Sequence, residues 1–459
     1  MRSRVSRRQF LRNAALLAGT SAMSHPLFRP TSAAAQSPRA ATLRFLGHVT
    51  PEGTTTRDRA MKVIAERFAS KNPIIKMQFE RIPFQELQQK YMTSWEAGNA
   101  PDLSFVDKPY VSTDVRQGSI EDLTPYLSRW PKGEVEDFYS KLVWQHNVIN
   151  GKKYALETFM HTYVMAYRKS VFAKAGYDVT KIRTWDEFIK AAQAVTVDRN
   201  GKRPTDPGFD ARNVQTWGWG AEASRNGNWV PALGWLFTTL GEPIVSSKDW
   251  KANWTGESAV KAFTLVTDFI TKYKIQSPGD LSADLDTAEN NFASGLYAST
   301  IAYTNRLESV RAKMQYDWKD VAYLRPPTFD GKRAGPLATR FWAMAMNSKS
   351  QFKDEAWLFM TEYFSKQGDM DMVIPGAQLP MRTSNLTRPE LNSPEKAYVQ
   401  VVKDGFADWG FIEPDPPTSF RLIWVLAYHE IVSQGVPVKQ ALQKAQDSYH
   451  KLLEEATGK

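Results

Sequence analysis

The sequence predicts an α/β protein of two lobes, each a mostly parallel sheet flanked by helices, joined by a hinge. Strand-like and helix-like segments alternate on both sides of the stretch Gly151–Phe172, which itself carries the strand-like runs Tyr154–Leu156 and Tyr163–Tyr167. The length of 459 residues also suits two or three domains better than one. We therefore expect the chain to pass between lobes within this stretch, with the interval Glu157–His161 at the rim of a cleft.

The composition is that of a soluble globular protein, with 42% hydrophobic and 24% charged residues. The formal net charge is +10, but residues 1–35 hold six arginines, and the rest of the chain has 53 basic against 49 acidic residues. This balance gives no basic surface suited to nucleic acid. The absence of cysteine excludes disulfides, thiolate metal sites, cysteine nucleophiles and a lipid-modified cysteine.

Residues 1–35 are predicted to be an export signal. The pair Arg7-Arg8 precedes the mildly apolar run Ala14–Met23, and Ala33–Ala35 provides a small-residue cleavage site. The paired arginines resemble a twin-arginine signal. We expect cleavage after Ala35 and a mature protein that is soluble in the periplasm, because no later segment approaches the ~18–20 apolar residues of a membrane span. Twin-arginine substrates generally fold before export, which keeps a cofactor enzyme open as a competing hypothesis.

The first lobe is predicted from a strand–helix–strand–helix–strand series. The segments are Thr42–Val49, Arg57–Ser70, Ile74–Ile82, Phe84–Glu96 and Leu103–Val106. This order implies right-handed crossovers and parallel strands. Ligands of such sheets bind beyond the carboxyl ends of the strands.

The loops after the first and third strands are therefore candidate ligand-binding segments, and they contribute His48, Glu52 and Asp107. Neither loop carries a GxGxxG or GxxxxGK[ST] phosphate fingerprint, which disfavours nucleotides. The six histidines include no HExxH pair or other metal-ligand spacing, and no G-x-S-x-G elbow occurs. We expect no metal, no cofactor and no catalytic residue. One alternative stays open: Asp107 and Glu157 can face each other as the two carboxylates of a periplasmic carbohydrate-active hydrolase.

An ordered set of short motifs resembles the extracellular solute-binding protein family 1 of ABC importers. The motifs are Phe68–Pro73, Ala97–Asp102, Asp122–Leu127, Gly151–Glu157, Phe172–Tyr177, Thr184–Phe188, Phe292–Thr300, Asn347–Lys349 and Gln440–Leu442. Each motif alone is a weak signal, but together they follow the family's order over roughly residues 42–455. The resemblance implies a periplasmic-binding-protein-like fold (type II) and a monomer that binds a sugar or polyol and delivers it to an inner-membrane permease without changing it.

With this resemblance, lobe one is assigned to residues 41–155 and 335–366, and lobe two to residues 156–334 and 367–459. Three crossings would then join the lobes. Within lobe two, Thr184 and Glu187 have the spacing of a helix capping box. The apolar positions from Val260 to Tyr273 predict a long amphipathic helix.

Candidate ligand-binding residues of lobe two come from an exposed aromatic and from the resemblance. Trp229 follows the flexible Asn226–Asn228, a rim position from which an indole can cover the apolar face of a sugar. In the family, the loop after the strand Ser299–Tyr303 faces the solute, which selects Tyr303, Asn305 and Arg306. Many sugar binders of the family have a tryptophan near this point, so the solute of this chain stays open.

The remaining candidates lie beside the crossings. In the strand Leu337–Met346, Arg340 stands where the family usually has glycine and offers five fixed donors. Trp342 fits either a stacking platform or the core face of this strand. His161 and Gln378 complete the set. Because Arg306 and Arg340 are both cations, an ABC binding protein for an anionic solute is a further alternative.

Overall fold

The computed structural model describes residues 38–458 except 85, 139–143, 145–146, 226–232, 247, 333–337, 375–377, 406–410 and 413–419. Residues Arg39–Lys459 form one compact unit. The predicted export signal lies outside the described residues, as does Trp229.

Twelve strands are found in the described part of the chain. They are β1 Ala41–Gly47, β2 Ile75–Arg81, β3 Leu103–Asp107, β4 Val148–Ile149, β5 Lys152–Lys153, β6 Ala155–Arg168, β7 Val197–Asp198, β8 Val214–Thr216, β9 Ser299–Tyr303, β10 Val321–Leu324, β11 Ala338–Met346 and β12 Phe411–Ile412.

The α-helices begin with five in the first 175 residues, α1 Thr56–Lys71, α2 Leu87–Glu96, α3 Lys108–Gln117, α4 Thr124–Leu127 and α5 Lys169–Lys174. They continue with α6 Trp185–Val195, α7 Gly234–Thr239, α8 Glu257–Thr271, α9 Leu285–Ser294 and α10 Leu307–Lys313. The last five are α11 Lys353–Tyr363, α12 Lys366–Val373, α13 Ala397–Gly405, α14 Arg421–Gln434 and α15 Val438–Thr457.

One long strand, β6, serves the sheets of both lobes. Its first part, Ala155–Thr162, pairs with β11, and β11 in turn pairs with β3 of lobe one. Its second part pairs with β9 from Tyr163 and with β10 from Met165. The eight strands of this hydrogen-bonded network are therefore two sheets that share one strand. The change of partner between Thr162 and Tyr163 marks the crossing from lobe one to lobe two.

The two sheets differ in strand direction. In lobe one, β1 is parallel to β2 and β3, as the crossover order predicts. In lobe two, β9 and β10 are both antiparallel to β6, so the expectation of a mostly parallel sheet is wrong there. The physical reason is that β6 enters lobe two from the crossing, whereas β9 runs back towards it, with Tyr303 opposite Tyr163 at the crossing end.

The second lobe boundary also differs from the prediction. Helix α12 packs on α1 of lobe one, and the turn Thr383–Thr387 packs on α12. The buried guanidinium of Arg382 bonds the carbonyl of Phe364 and ion-pairs with Asp137, which ties this segment to lobe one. Residues 378–391 therefore lie with lobe one rather than lobe two, and the chain returns to lobe two at α13, which packs on β10 and β6.

The buried side chains form two clusters, and the sheet of lobe two lies between them. Along β6, Val164 and Ala166 belong to the cluster that continues into lobe one, whereas Tyr163, Met165 and Tyr167 belong to the other. This is the alternation that a strand buried on both faces requires. The predicted capping box is confirmed, because Glu187 N–H donates to the Thr184 hydroxyl and Thr184 N–H donates to the Glu187 carboxylate. The amphipathic helix predicted from Val260 is α8.

Two buried carboxyls predict that the stability of the fold depends on pH. Asp369 accepts hydrogen bonds from the backbone N–H of Met381 and Arg382, and Asp280 accepts from the hydroxyl of Tyr297 at 2.6 Å. Burial raises the pKa of both carboxyls to about 6, against 3.8 for an ordinary aspartate. Between these two pH values the folded state binds more protons than the unfolded state.

We therefore expect the free energy of unfolding to rise as the pH falls from 7 to 5. Each of the two carboxyls contributes up to about 1.4 kcal/mol for each pH unit. Urea unfolding at pH 5, 6 and 7 measures this, with Asp280→Asn and Asp369→Asn each expected to flatten the slope. Identical slopes in the wild type and both variants would contradict the assignment.

Candidate functional site

An aromatic group lies beyond the carboxyl ends of the parallel strands of lobe one. The rings of His48 and Trp342 are 4.4 Å apart between centroids, and the ring of Phe84 lies 6.3 Å from Trp342. Trp342 and His48 are largely covered, whereas Phe84 is 52% exposed. We call these three residues the aromatic wall. Its position is where an open parallel sheet binds its ligand.

The imidazole of the aromatic wall is neutral. Burial and the nearby cation of Arg57 lower the pKa of His48 to about 3. A neutral imidazole has one donor and one acceptor nitrogen, so His48 suits a hydroxyl rather than an ion. At neutral pH it brings no charge to the site.

Asp58 fixes the loop that carries His48. One carboxylate oxygen accepts from the backbone N–H of Thr50 at 3.0 Å and from Arg81 at 2.8 Å, and the other accepts from the N–H of Thr55 at 2.9 Å. Burial opposes ionisation here, but these hydrogen bonds hold the pKa of Asp58 below its ordinary value. The loop is therefore anchored to the first turn of α1, and Glu52 lies exposed at its outer end.

The end of β9 supplies the lobe-two side of the site. The ring of Tyr303 lies 4.6 Å from Tyr163, and its hydroxyl donates to the buried carboxylate of Glu222. In the following turn, Thr304 accepts from the backbone N–H of Thr162 at 3.1 Å, directly at the crossing. Asn305 is half-buried, and its Oδ1 has no hydrogen-bond partner among the described residues. This oxygen is itself buried, so it does not face the open part of the site.

Arg306 is already neutralised by its neighbours. Its Nε donates to Glu289 at 2.6 Å, one terminal nitrogen donates to Glu289 at 2.7 Å, and Asp286 contacts the same terminal nitrogen. Two carboxylates thus already offset the positive charge of this guanidinium. The alternative of an anionic solute therefore loses one of its two predicted cations.

Burial also lowers the pKa of Arg57, and the charge of Arg306 lowers it further. Arg57 belongs to the first turn of α1 in lobe one, so its cation is near enough to Arg306 for the two charges to interact.

Glu157 is an interior residue, not a residue of the rim. It is 1% exposed, and its carboxylate accepts from Lys153 at 2.8 and 3.1 Å and from Asn147 at 2.8 Å. The ammonium of Lys153 also donates to the carbonyl of Trp144 and lies 4.4 Å from the centre of that ring. A buried ammonium needs a counter-ion, and Glu157 supplies it. The hydrolase alternative therefore loses one of its two carboxylates.

The other predicted residues are placed as follows. Asp107 ends β3 opposite Trp342 of β11. His161 and Arg340 are direct partners across β6 and β11, so their backbones meet two residues from the aromatic wall, and their side chains lie outside the described part. Gln378 is 1% exposed and belongs to the interior of lobe one. Trp342 is a core residue of β11 and a member of the aromatic wall, and its role as a stacking platform stays a prediction.

Phe84 and Glu222 were not predicted. Phe84 follows the carboxyl end of β2, where the rule for parallel sheets would have selected it, but the sequence placed it inside a helix that begins only at Leu87. Glu222 lies in an irregular segment with no periodic pattern, so no sequence signal pointed to it.

Across the described ranges, no group of three or more acidic or histidine side chains has the geometry to hold a metal ion. None of the helices that the structure describes is long and apolar enough to cross a membrane.

Comparison with known proteins gives consistent matches. Residues 52–370 match the model of the family described as bacterial extracellular solute-binding protein. A diacetylchitobiose binding protein, DasA, of Streptomyces coelicolor is 22% identical over 85% of both chains. A protein of Brucella abortus described as a binding protein is 26% identical over 66% of this chain and 68% of its own.

Among solved structures, the sugar-binding protein MalE of Xanthomonas citri has a TM-score of 0.73 at 19% identity, over 90% of this chain and 98% of that chain. A solute-binding protein of Agrobacterium radiobacter in complex with ribitol has a TM-score of 0.72 at 20% identity, over 91% of this chain and all of that chain. These likenesses confirm the predicted two-lobed α/β fold.

Proposed function

Because this chain belongs to the bacterial extracellular solute-binding protein family, we propose that it is the binding component of an ABC importer and holds a sugar or polyol between its lobes. The family places it among proteins that bind solutes rather than among enzymes. Delivery to a membrane permease follows from the proposed role in the importer.

The chemistry of the site on both lobes supports a solute that is uncharged and carries hydroxyl groups. The aromatic wall offers apolar rings that suit the C–H faces of a sugar, and neutral His48 can bond a hydroxyl. On the lobe-two side, the charge of Arg306 is offset by Glu289 and Asp286. Relatives that bind diacetylchitobiose, and structural neighbours in complex with tagatose or ribitol, support the same class of solute.

The proposed mechanism is closure of the two lobes around the solute. The backbone crossing at Thr162, with its bond to Thr304, is one of the connections about which the lobes would rotate. A solute favours the closed state only by as much as it binds that state better than the open one. Contacts to both the aromatic wall and the turn after β9 supply this difference, because one lobe alone cannot make them.

A thermal-shift screen of the protein without residues 1–35 tests the proposal. We expect the unfolding midpoint to rise with one of maltose, tagatose, ribitol or diacetylchitobiose, since ligand at 100 times its Kd adds about 2.7 kcal/mol of stability. Glucuronate and galacturonate serve as anionic comparisons. No shift with any neutral compound, a shift with the acidic sugars alone, or conversion of the bound compound would each overturn it.

We further propose that residues 1–35 direct export by the twin-arginine route into the periplasm. The support is the pair Arg7-Arg8 with the apolar run and the alanines behind it. Mass spectrometry of the exported protein is expected to give a mature N-terminus between residues 30 and 42. Replacing both arginines by lysine is expected to stop export, and normal export of that variant would contradict the route.

A further inference from the structure

We propose that Thr158 is a positioning residue, whose hydroxyl holds the backbone of Trp342 in the position that brings the indole to the solute. The inference rests on the proposed sugar-binding function. It concerns a residue whose side chain hydrogen-bonds the backbone carbonyl of Trp342 and that follows from no motif.

The pairing of β6 with β11 contains one irregularity. Trp342 lies opposite Phe159, whereas the next residue, Ala343, lies opposite Glu157. Thr158 therefore has no residue opposite it and is the extra residue of a β-bulge. Bulges of this kind redirect side chains and are frequent beside functional sites.

The side chain of the extra residue makes the bond that anchors the bulge. Thr158 is 2% exposed, and its hydroxyl donates to the carbonyl of Trp342 at 3.0 Å. From the other direction, the hydroxyl of Tyr363 donates to the carbonyl of Thr158 at 3.4 Å. The buried pair of Glu157 and Lys153 precedes the bulge directly. The irregularity is thus held on three sides.

The extra residue lies in β6, so the bulge shifts β6 relative to Trp342, while the side chains of β11 alternate without interruption. Successive side chains of a strand alternate between the two faces of a sheet, so this shift of one residue changes which side chains of β6 lie beside Trp342. Without the bulge, Trp342 would lie opposite Thr158 instead of Phe159. The hydroxyl bond belongs to the bulged register, in which the indole packs against His48. Removing the hydroxyl is therefore expected to loosen the indole while leaving the rest of the strand paired.

Two substitutions separate the hydroxyl from the shape of the side chain. Thr158→Val keeps the shape and removes the donor, and Thr158→Ser keeps the donor. Calorimetric titration with maltose, tagatose, ribitol and diacetylchitobiose is expected to show at least a tenfold higher Kd for Thr158→Val and less than a threefold change for Thr158→Ser. Equal affinity of Thr158→Val and wild type, or an equal loss in both variants, would overturn the inference.

Thr267→Val is the matched control. Thr267 is equally buried, and its hydroxyl donates to the carbonyl of Phe263 at 2.8 Å within α8, in lobe two. We expect this variant to lose stability and keep its affinity. A tenfold loss of affinity here as well would show that Thr158 acts only through general stability.

A measurement without solute keeps the two proposals apart. The near-ultraviolet circular dichroism of the wild type minus that of Trp342→Phe gives the band of the Trp342 indole. Thr158→Val is expected to lose at least half of this band, and Thr158→Ser to retain it. If the wild type binds none of the four compounds, the proposed sugar-binding function is refuted. The circular dichroism band alone then decides whether Thr158 positions Trp342. A full band in Thr158→Val would refute that role.

Discussion

Replacing Glu157 by alanine is expected to destabilise the protein by roughly 3–5 kcal/mol. The substitution leaves the ammonium of Lys153, which is 3% exposed, inside lobe one without its counter-ion. It also removes the acceptor of Asn147 Nδ2. The attraction within a buried pair is largely offset by the cost of taking both charges out of water, but a single remaining charge bears that cost alone.

The double variant Lys153→Met/Glu157→Leu separates the two contributions. It removes both charges and fills the same space with apolar groups, so we expect it to recover most of the stability lost in Glu157→Ala. Urea unfolding of the wild type, the single variant and the double variant measures this. A double variant as unstable as Glu157→Ala would show that packing, not the uncompensated charge, is responsible.

An exposed ion pair of the same spacing is the control. Lys62 and Glu66 on α1 are 3.9 Å apart and about two-thirds exposed. Exposed pairs of this kind contribute little, so Glu66→Ala is expected to change the free energy of unfolding by less than about 0.5 kcal/mol. The contrast tests whether burial, rather than the presence of an ion pair, sets the size of the effect.

The buried pair also shows where sequence-based prediction reached its limit. The strand around Glu157 and its place beside the crossing followed from its apolar and aromatic pattern. Its interior position depends on β11, almost two hundred residues away in the chain, and on Asn147 and Trp144, which cover Lys153. A carboxylate in a cleft and one in the core look the same in the sequence, because the difference lies in what packs around them.

The ion pairs of Arg306 could not be predicted for a related reason. Its position after β9 was predicted by family resemblance, and the structure places it in that turn. Its partners, Asp286 and Glu289, are 20 and 17 residues earlier, on one face of α9. The sequence shows that these two acids share a helix face, but not that the face meets Arg306. Local pattern thus predicted the element and its carboxyl end, whereas the charge of the site depended on how α9 packs.

The register of β11 is the other feature that local pattern could not supply. The alternation of apolar residues predicted a strand over 337–346 and left Trp342 between core and cleft. Trp342 is buried and also contacts the ring of His48, which only the packing reveals. The bulge at Thr158 could not be predicted either, because it exists only in the pairing of two strands. Phe84 was missed because its exposure depends on where α2 begins, which local pattern did not fix.

Replacing Trp342 by alanine is expected to raise the Kd for the sugar or polyol by at least about thirtyfold, or about 2 kcal/mol. The indole is the largest ring of the aromatic wall, and the rings of His48 and Phe84 lie 4.4 and 6.3 Å from it. Its removal takes away the largest apolar surface at the site and also the contact that orients His48. Calorimetric titration with the compound identified by the thermal-shift screen gives the change directly.

Two further variants make the result specific. Phe84→Ala removes a ring that is already half exposed, so we expect a smaller loss of about three- to tenfold. Trp318→Ala removes a half-buried indole of lobe two that contacts Arg311 and Lys319, outside the proposed site, and is expected to leave the Kd unchanged. Since Trp342 is also a core residue, the titrations are made well below the unfolding midpoint of each variant. An unchanged Kd in folded Trp342→Ala would remove the aromatic wall from the binding site, because a ring that covers a sugar cannot be lost without weakening the complex.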